Sequence, residues 1–312
     1  MLFSCRPQPS ASPEALLRPA YGSLEELFQT EIVNIGLERL GYEVVAGSEI
    51  EYDIIHEAIA NRYLDYTTVH WNPLHSDFFE KNGGTDTMTR VGTLMENAVQ
   101  GYLIDKKTAQ QYQITNLEQL QSDAIATLFD TDGDGKANLV GCPPGWACRD
   151  VIEHHLTAYS LRVTLEHDSE NCTASINNVF ETHKAGNPIL YYAWTPFWVN
   201  STLVPGQQVE WLEVPYTALP DSYPEGTETT FGGKNLGFSV NQIEILANKS
   251  FLQANPIAKS FFESVKIPIE AVSLQNQKMR DGENTPADIR AHAEAWIAEN
   301  QQTFDGWIAQ AR

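Results

Sequence analysis

Residues 24–45 read LEELFQTEIVNIGLERLGYEVV, a helical pattern that leads directly into a strand. Its apolar residues recur at a spacing that places them on one face of a helix reaching residue 40: Leu24, Phe28, Ile32 and Ile35. Gly41 then ends the helix, and residues 42–45 predict a strand. The same order returns with a helix over 54–64 and a strand over 66–69. This alternation predicts an α/β fold with mostly parallel sheets and ligand loops at the carboxyl ends of the strands.

Two extended apolar segments, Gly101–Leu103 and Ile243–Ala247, are predicted to carry the chain between two lobes. Residues 22–100 and 243–312 would then form lobe 1, and residues 101–242 would form lobe 2. A chain of 312 residues is compatible with about two domains. We expect the ligand to lie in the cleft between the lobes, where its binding favours closure about the two crossings.

The segment GCPPGWACRD, residues 141–150, holds a tryptophan between two cysteines just ahead of a helical pattern. Cys142 and Cys148 could close a short ring around Trp146. A disulfide across so short a loop contributes roughly 2 kcal/mol through loop entropy. Its larger effect would be to fix the backbone around the indole and the amides that follow it.

Two further tryptophans stand before a similar local pattern, Trp71 before Asn72-Pro73 and Trp194 before Thr195-Pro196. Asn or Thr at the N-cap with Pro in the first helical position is a common helix start. Indole faces attract quaternary ammonium groups by about 0.5–2 kcal/mol per ring, and amides at helix N-termini attract carboxylates. The three tryptophans therefore suggest a site for a small zwitterion that carries both groups. The remaining tryptophans are assigned to core or lobe packing, as is usual for this residue: Trp198, Trp211, Trp296 and Trp307.

Several stretches resemble the ProX-type glycine betaine/proline betaine-binding proteins of ABC importers. They are VHWNPLH at 69–75, QGYLIDKKTA at 100–109, the loop at 141–148, YYAWTPFW at 191–198 and FDGW at 304–307. The resemblance runs from about Leu24 to the C-terminus. It implies a two-lobed periplasmic-binding-protein-like fold, a betaine ligand, and delivery to the permease and ATPase subunits of an importer. We expect a monomer that needs no cofactor and is not an enzyme.

The resemblance also implies the residues of the site. Trp71, Trp146 and Trp194 match the three tryptophans that box the ammonium group. His75 and the main-chain amides of Ala147 and Cys148 match the groups that hold the ligand carboxylate, and Cys142 would be joined to Cys148. Ala147 stands where the family usually has glycine, so a methyl group crowds the carboxylate side and is expected to loosen selectivity among betaines.

Charge and cysteines bear on partners and compartment. With 20 basic against 41 acidic residues the net charge is −21, which makes nucleic acid an unfavourable partner.

The spacing of Cys142 and Cys148 matches no common zinc pattern and favours an oxidising compartment, while Cys172 is expected to be a buried or idle thiol. Residues 1–21 are interpreted as a signal remnant and flexible tether, in which LFSC resembles the end of a lipoprotein signal. The protein is therefore expected in the periplasm or at the cell surface of a bacterium, with lipid attachment at Cys5 as an option.

A second candidate site is the acidic stretch from Asp130 through Asp132 to Asp134. It fits the first half of a calcium loop, with oxygen ligands at alternating positions. The twelfth position is Gly141, so the bidentate glutamate of an EF-hand is missing. Asp-Gly-Asp-Gly is also a good turn sequence, and we favour the turn over a structural calcium ion.

Two other functions stay open at this point. One is a two-lobed binding protein for choline, a sugar or an amino acid, since a fold does not determine its ligand. The other is a carbohydrate-active enzyme in which Glu153 or Glu213 acts as an acid. Sugar sites favour Asp, Asn and Arg around the ring, whereas the tryptophans here are flanked mainly by Pro, Gly and Thr. The composition of these stretches therefore favours betaine.

Overall fold

The structure is a computed structural model that describes residues 16–168 and 172–312, with side chains for 16–168 and 176–312. Its strands are β1 Leu16–Leu17, β2 Pro19–Tyr21, β3 Glu43–Val44, β4 Ser48–Glu49, β5 Tyr66–Asn72, β6 Met88–Ala98, β7 Gln100–Asp105, β8 Ala137–Val140, β9 Leu165–Asp168, β10 Leu190–Trp194, β11 Val209–Trp211, β12 Thr230–Phe231, β13 Lys234–Asn235 and β14 Asn241–Asn248. Its α-helices are α1 Leu27–Arg39, α2 Tyr52–Ala60, α3 Ser76–Lys81, α4 Gly84–Thr87, α5 Lys106–Tyr112, α6 Asp123–Ala126, α7 Ala147–Ala158, α8 Cys172–Lys184, α9 Val199–Thr202, α10 Lys249–Ala254, α11 Pro256–Ser264, α12 Ile269–Arg280, α13 Pro286–Glu299 and α14 Gln301–Ala311. Short 3₁₀ helices cover Leu24–Glu26, Leu117–Gln121 and Thr127–Phe129. Cys5 and the side chain of Cys172 lie outside the described part of the chain, so the predictions about them stay predictions.

Two five-stranded sheets organise the described residues. The first has the order β4-β2-β5-β14-β6 and the second the order β11-β7-β10-β8-β9. In the first sheet β14 is antiparallel to both of its neighbours, so the other four strands share one direction. In the second sheet β7 is the reversed strand in the same way. Mostly parallel sheets flanked by helices confirm the predicted α/β class, and each sheet with its helices forms one lobe.

The chain passes from the first sheet to the second at Val99, the residue between β6 and β7, and returns just before β14. Ala98 pairs with Asn241, so the two crossings lie side by side. The predicted crossing segments were therefore misplaced, because Gly101–Leu103 lies inside β7 and Ile243–Ala247 inside β14. They are apolar because both faces of these central strands are covered. The division of the chain into 22–100, 101–242 and 243–312 stays a prediction.

Elements with a clear local pattern form where they were predicted. The 3₁₀ turn Leu24–Glu26 continues into α1, and β3, α2 and β5 follow in the expected order. At the start of α13, the hydroxyl of Thr285 accepts the N–H of Asp288 at 3.2 Å, and Asp288 accepts the N–H of Thr285 at 3.1 Å. This reciprocal pair is a capping box, which fixes the beginning of the helix. The tryptophans assigned to packing belong to the core or lie against it: Trp198, Trp211, Trp296 and Trp307.

Two predicted helix starts are wrong. The Asn72–Pro73 and Thr195–Pro196 peptide bonds are both cis, α3 begins only at Ser76 and α9 only at Val199. The two side chains expected to cap helices bind elsewhere. Asn72 binds Glu244 on the neighbouring strand, and Thr195 accepts the N–H of Val99 at 3.2 Å while donating its own N–H to the Val99 carbonyl at 2.8 Å. Of the three predicted junctions of tryptophan and helix, the one at Trp146 and α7 is present.

None of the helices in residues 16–168 and 172–312 has the length and apolar character that a membrane crossing requires.

Candidate functional site

One cavity between the two lobes is lined by all six residues predicted to bind ligand: Trp71, His75, Trp146, Ala147, Cys148 and Trp194. Its empty volume is about 550 Å³, including the opening to solvent. Trp71 lies in β5 and His75 in the turn after it, whereas the other four residues come from the start of α7 and the end of β10. Both lobes therefore line the same cavity, which stays a predicted ligand site.

The aromatic part of the cavity is held by ring contacts. The ring of Trp146 lies edge-to-face against two neighbours, with centroids 5.6 Å from Trp194 and 5.7 Å from Tyr52. Trp194 also stacks on Phe197 at 3.9 Å. Trp71 and Trp194 are buried, while Trp146 is partly exposed. These contacts hold Trp146 and Trp194 in place in the cavity wall, and indole faces suit a bulky cation.

Sequence reasoning missed two tyrosines in the same wall, Tyr52 and Tyr192. Tyr192 lies two residues before Trp194 on β10, so both side chains point to the same face, and their rings are 5.7 Å apart. That period of two was a signal for Tyr192. Nothing in the pattern around Tyr52 separates it from an ordinary helix residue, because its role depends on where α2 packs.

His75 lines the cavity, and its ring carries one hydrogen-bond donor. Its Nδ1 accepts the main-chain N–H of Trp71 at 3.3 Å, so the neutral ring carries its proton on Nε2. Burial, with His56 nearby, holds the pKa of His75 well below its usual range, and the ring is therefore neutral at physiological pH. Ala147 and Cys148 are the first two residues of α7, where an N–H has no acceptor within the helix. An imidazole N–H and two such amides suit a carboxylate.

A buried histidine cluster lies behind this side of the cavity. His56, His70 and His75 each offer a nitrogen, and these nitrogens lie within 4.8 Å of one another, a spacing that also fits a metal ion. Arg90 Nε donates to His70 Nε2 at 3.0 Å, so His70 donates from Nδ1 to His56 Nε2 at 2.9 Å. His56 in turn donates from Nδ1 to the carbonyl of Tyr52 at 2.5 Å. This chain uses both nitrogens of His56 and His70 and ends on a guanidinium cation, an arrangement that favours neutral histidines over a metal.

The wall near Trp71 is acidic. Glu26 Oε1 accepts the indole N–H of Trp71 at 3.3 Å, and Oε2 accepts the amides of Gly22 and Ser23 at 3.0 and 3.2 Å. Burial raises the pKa of Glu26 to about 7 and, with Glu26 beside it, raises the pKa of Glu25 to about 7 as well. Sequence reasoning missed both residues, because acidic residues at the start of a helix are common for reasons of the helix dipole alone.

Three buried amide side chains also line the cavity, from α1, β7 and α12. Gln29 Oε1, Gln100 Nε2 and Asn276 Oδ1 have no hydrogen-bond partner among the described residues. The orientation of Gln100 follows from its other atom, since its Oε1 accepts the hydroxyl of Tyr192. Buried polar atoms are nearly always hydrogen-bonded, so these atoms are available to water or ligand in the cavity.

The disulfide between Cys142 and Cys148 is present, with Cα atoms 5.9 Å apart and both residues buried. It ties the Pro-Pro-Gly loop to the first turn of α7, and the N–H of Cys142 also donates to His167 Nε2 at 3.0 Å. The bond therefore holds the backbone of Trp146 and of the first two residues of α7.

The carboxylates of Asp130, Asp132 and Asp134 lie within 4.8 Å of one another, but they serve the local turn. Asp130 accepts the amides of Gly133 and Gly135 at 2.6 and 2.9 Å, and Asp134 accepts that of Lys136 at 2.8 Å. These bonds support the turn interpretation, and calcium remains the weaker prediction.

The acids nominated for an enzymatic alternative do not line the cavity. Glu153 accepts from Arg162 at 2.9 Å and pairs with His167 at 2.8 Å on the surface of the second lobe. The backbone of Glu213 forms a bridge to Asn116. Neither residue has a partner carboxylate across the site, so the arrangement gives no support to glycoside hydrolysis.

Comparison with known proteins gives consistent relatives. A family model described as the substrate binding domain of the ABC-type glycine betaine transport system matches residues 22–299. The glycine betaine/proline betaine-binding periplasmic protein of Escherichia coli (strain K12) is 44% identical over 287 residues, which cover 92% of this chain and 87% of that protein. Among solved structures, the glycine/betaine/L-proline-binding protein ProX from Borrelia burgdorferi has a TM-score of 0.73 at 15% identity, covering 96% of this chain and all of that one (100%). Lactococcal OpuAC, in a closed form complexed with glycine betaine, has a TM-score of 0.71 at 17% identity and covers 95% of this chain and 100% of its own. These two structures share the fold.

Proposed function

This chain belongs to the family of substrate binding domains of ABC-type glycine betaine transport systems, and we propose that it captures glycine betaine and proline betaine for an ABC importer. The observation that carries the proposal is the convergence of the six family-matched residues on one cavity with an aromatic part and a donor part. The relatives are named as periplasmic proteins, and we assign this chain to the same side of the membrane. The permease and ATPase subunits would be other chains, and the ligand would leave the site chemically unchanged.

The proposed binding mode follows from the chemistry of the ligand. A quaternary ammonium group has no N–H to donate, so it is recognised by shape and by the π faces of Trp71, Trp146 and Trp194. The carboxylate accepts from His75 Nε2 and from the amides of Ala147 and Cys148. Because these groups come from both lobes, a bound betaine stabilises the closed arrangement of the lobes over the open one.

Isothermal titration calorimetry at pH 8 with glycine betaine, proline betaine, choline and maltose tests the proposal. Both betaines are expected to bind saturably, and choline at least about tenfold more weakly, because it offers no carboxylate to a buried donor set. Maltose is expected to give no heat of binding. Absence of binding by both betaines would contradict the proposed function. A choline affinity equal to that of glycine betaine would remove His75 and the α7 amides from recognition.

A further inference from the structure

Glu25 and Glu26 bring two carboxylates into the wall of the betaine cavity. None of the ion pairs among the described residues involves either of them. A buried carboxylate without a cationic partner is unfavourable, because burial removes water that solvates the charge. Glu26 is buried and Glu25 is half-buried, and among the described residues the pair lacks a counter-charge.

Glu26 is held firmly against the aromatic part of the site. Its carboxylate accepts hydrogen bonds from the Trp71 indole, the Tyr52 hydroxyl and the amides of Gly22 and Ser23. Two of these four donors belong to aromatic residues that line the cavity. A carboxylate fixed in this way cannot turn away from a cation that enters the cavity.

Glu25 connects the same charge to the other lobe. It accepts a hydrogen bond from Trp198, which follows β10 in the second lobe, whereas Glu25 lies in the first. The guanidinium of Arg280 lies 5.0 Å from the centre of the Trp198 ring. Glu25 is therefore adjacent to both the cavity and the contact between the lobes.

We propose that Glu25 and Glu26 form the negative pole of the site: their carboxylates supply the charge that faces the ligand's ammonium group, while His75 and the α7 amides supply the donors for its carboxylate. This assignment rests on the proposed function, since it requires a cationic ligand. The cation provides the counter-charge that the pair lacks, and it does so without a hydrogen bond, which the carboxylates already accept from the protein. A zwitterion thus meets a site that is itself bipolar.

The assignment makes binding depend on pH with a definite sign. The pKa of each carboxyl is about 7 in the free protein, and a bound cation favours the ionised form and lowers that pKa. Betaine affinity should therefore fall as the pH drops below about 7, and binding near pH 7 should release protons.

Other groups around the pair do not account for that window. The pKa of Tyr52 lies well above 10 and that of His75 well below 6.5, in both cases because of burial. Helices α1 and α12 pack against the 3₁₀ turn, and their charged residues have other partners or are exposed. On α1, Glu31 and Glu38 bind Arg290, and Arg39 binds Asp305. On α12, Arg280 lies over Trp198, and Glu270 and Lys278 are exposed. Glu49 in β4 is an exposed neighbour of Glu25.

Calorimetry with glycine betaine on wild type, Glu25→Gln, Glu26→Gln and the double variant tests the proposal at pH 8 and pH 5.5, on either side of the pKa of about 7. In Glu25→Gln an oxygen remains to accept the Trp198 indole N–H. In Glu26→Gln the new NH2 group faces either the Trp71 indole or the amides of Gly22 and Ser23, so part of that hydrogen bonding is lost and thermal unfolding must accompany the affinity. The affinity of wild type for glycine betaine should be at least about tenfold lower at pH 5.5 than at pH 8. At pH 8 the affinity of each single variant should be about tenfold lower than that of wild type, and that of the double variant no higher than either. Titration in buffers of different ionisation enthalpy should detect proton release by wild type and none by the double variant. Glu57→Gln, an exposed glutamate on α2, is the matched control and should behave as wild type.

The outcomes separate this proposal from the one on which it rests. If wild type binds no betaine at pH 8, the proposed function fails. If wild type binds equally well at both pH values and releases no proton, the function stands and the negative pole is overturned. If Glu26→Gln weakens binding but leaves the pH dependence intact, Glu26 only positions Trp71 and is overturned as a source of charge. Thermal unfolding of each variant checks folding, and should Glu26→Gln fail to fold, Glu25→Gln and the proton release of wild type still decide.

Discussion

At the scale of single residues, Trp146 is the aromatic contact between the lobes. Its ring lies against Trp194 of its own lobe and against Tyr52 of the other, both edge-to-face. Unlike Trp71, it is partly exposed to solvent. A residue placed in this way affects both the contact with ligand and the equilibrium between open and closed forms.

We expect Trp146→Ala to lower betaine affinity by about 1–3 kcal/mol, or roughly 5- to 150-fold, through lost cation–π and packing contacts. Trp296→Ala is the matched control, because Trp296 packs on Phe28 and Trp307 away from the cavity. The control should lose stability in thermal unfolding but keep its affinity in calorimetry. Equal loss of affinity in both variants would mean that the effect comes from general destabilisation rather than from the cage.

At the scale of elements, the start of α7 carries the two amides that we propose bind the ligand carboxylate, and its position depends on the loop before it. We expect the variant Cys142→Ser/Cys148→Ser to bind betaine several-fold more weakly, because loop constraint worth about 2 kcal/mol is lost and the amides of residues 147 and 148 become less well placed. Hydrogen exchange at residues 143–149 should rise in parallel. Wild type treated with reductant should match the variant, and reductant should not change the variant further. Unchanged affinity in both would show that α7 holds the amides without the disulfide.

Elements whose signal is local could be predicted, whereas those defined by packing could not. The period of α1 and the order of β3, α2 and β5 could be predicted from the chain, and the structure contains these elements. The crossings were misplaced because a buried central strand and an interlobe link both read as short apolar segments. The helix starts at residues 72–73 and 195–196 failed because Asn and Thr bind tertiary partners, Glu244 and Val99. Glu26 and Tyr52 reach the cavity through the packing of their elements, which no local pattern encodes.

At the scale of the whole molecule, the lobes also meet outside the cavity. Arg280 on α12 of the first lobe lies over Phe180 and Trp198 of the second, with its guanidinium 5.1 and 5.0 Å from the ring centroids. The same side chain donates to Thr202 at 3.2 Å. These contacts join the two lobes, and Trp198 also donates a hydrogen bond to Glu25 in the cavity wall.

We expect Arg280→Ala to weaken betaine binding about two- to fivefold, because an exposed cation–π contact of about 0.5–1 kcal/mol supports closure. Lys278→Ala, an exposed residue on the same helix, should leave affinity unchanged. Calorimetry gives the affinities, and small-angle scattering of the bound proteins shows whether the variant closes less completely. If both variants bind as wild type does, the Arg280 contact does not contribute to closure.

The pairing of Ala98 with Asn241 has a consequence for how such a chain can change over time. Because β6 and β14 are antiparallel neighbours, the segment between them leaves and re-enters the first sheet at adjacent points, as the loop of a hairpin does. In topological terms the second lobe is an insertion into a hairpin. A single recombination event spanning that insertion would replace Trp146, Trp194 and the amides of α7 together, while Trp71, His75 and the glutamate pair stayed in place. One continuous stretch of the gene thus encodes the second lobe's part of the cavity. Its exchange could change the ligand preference while the first lobe's part stays the same.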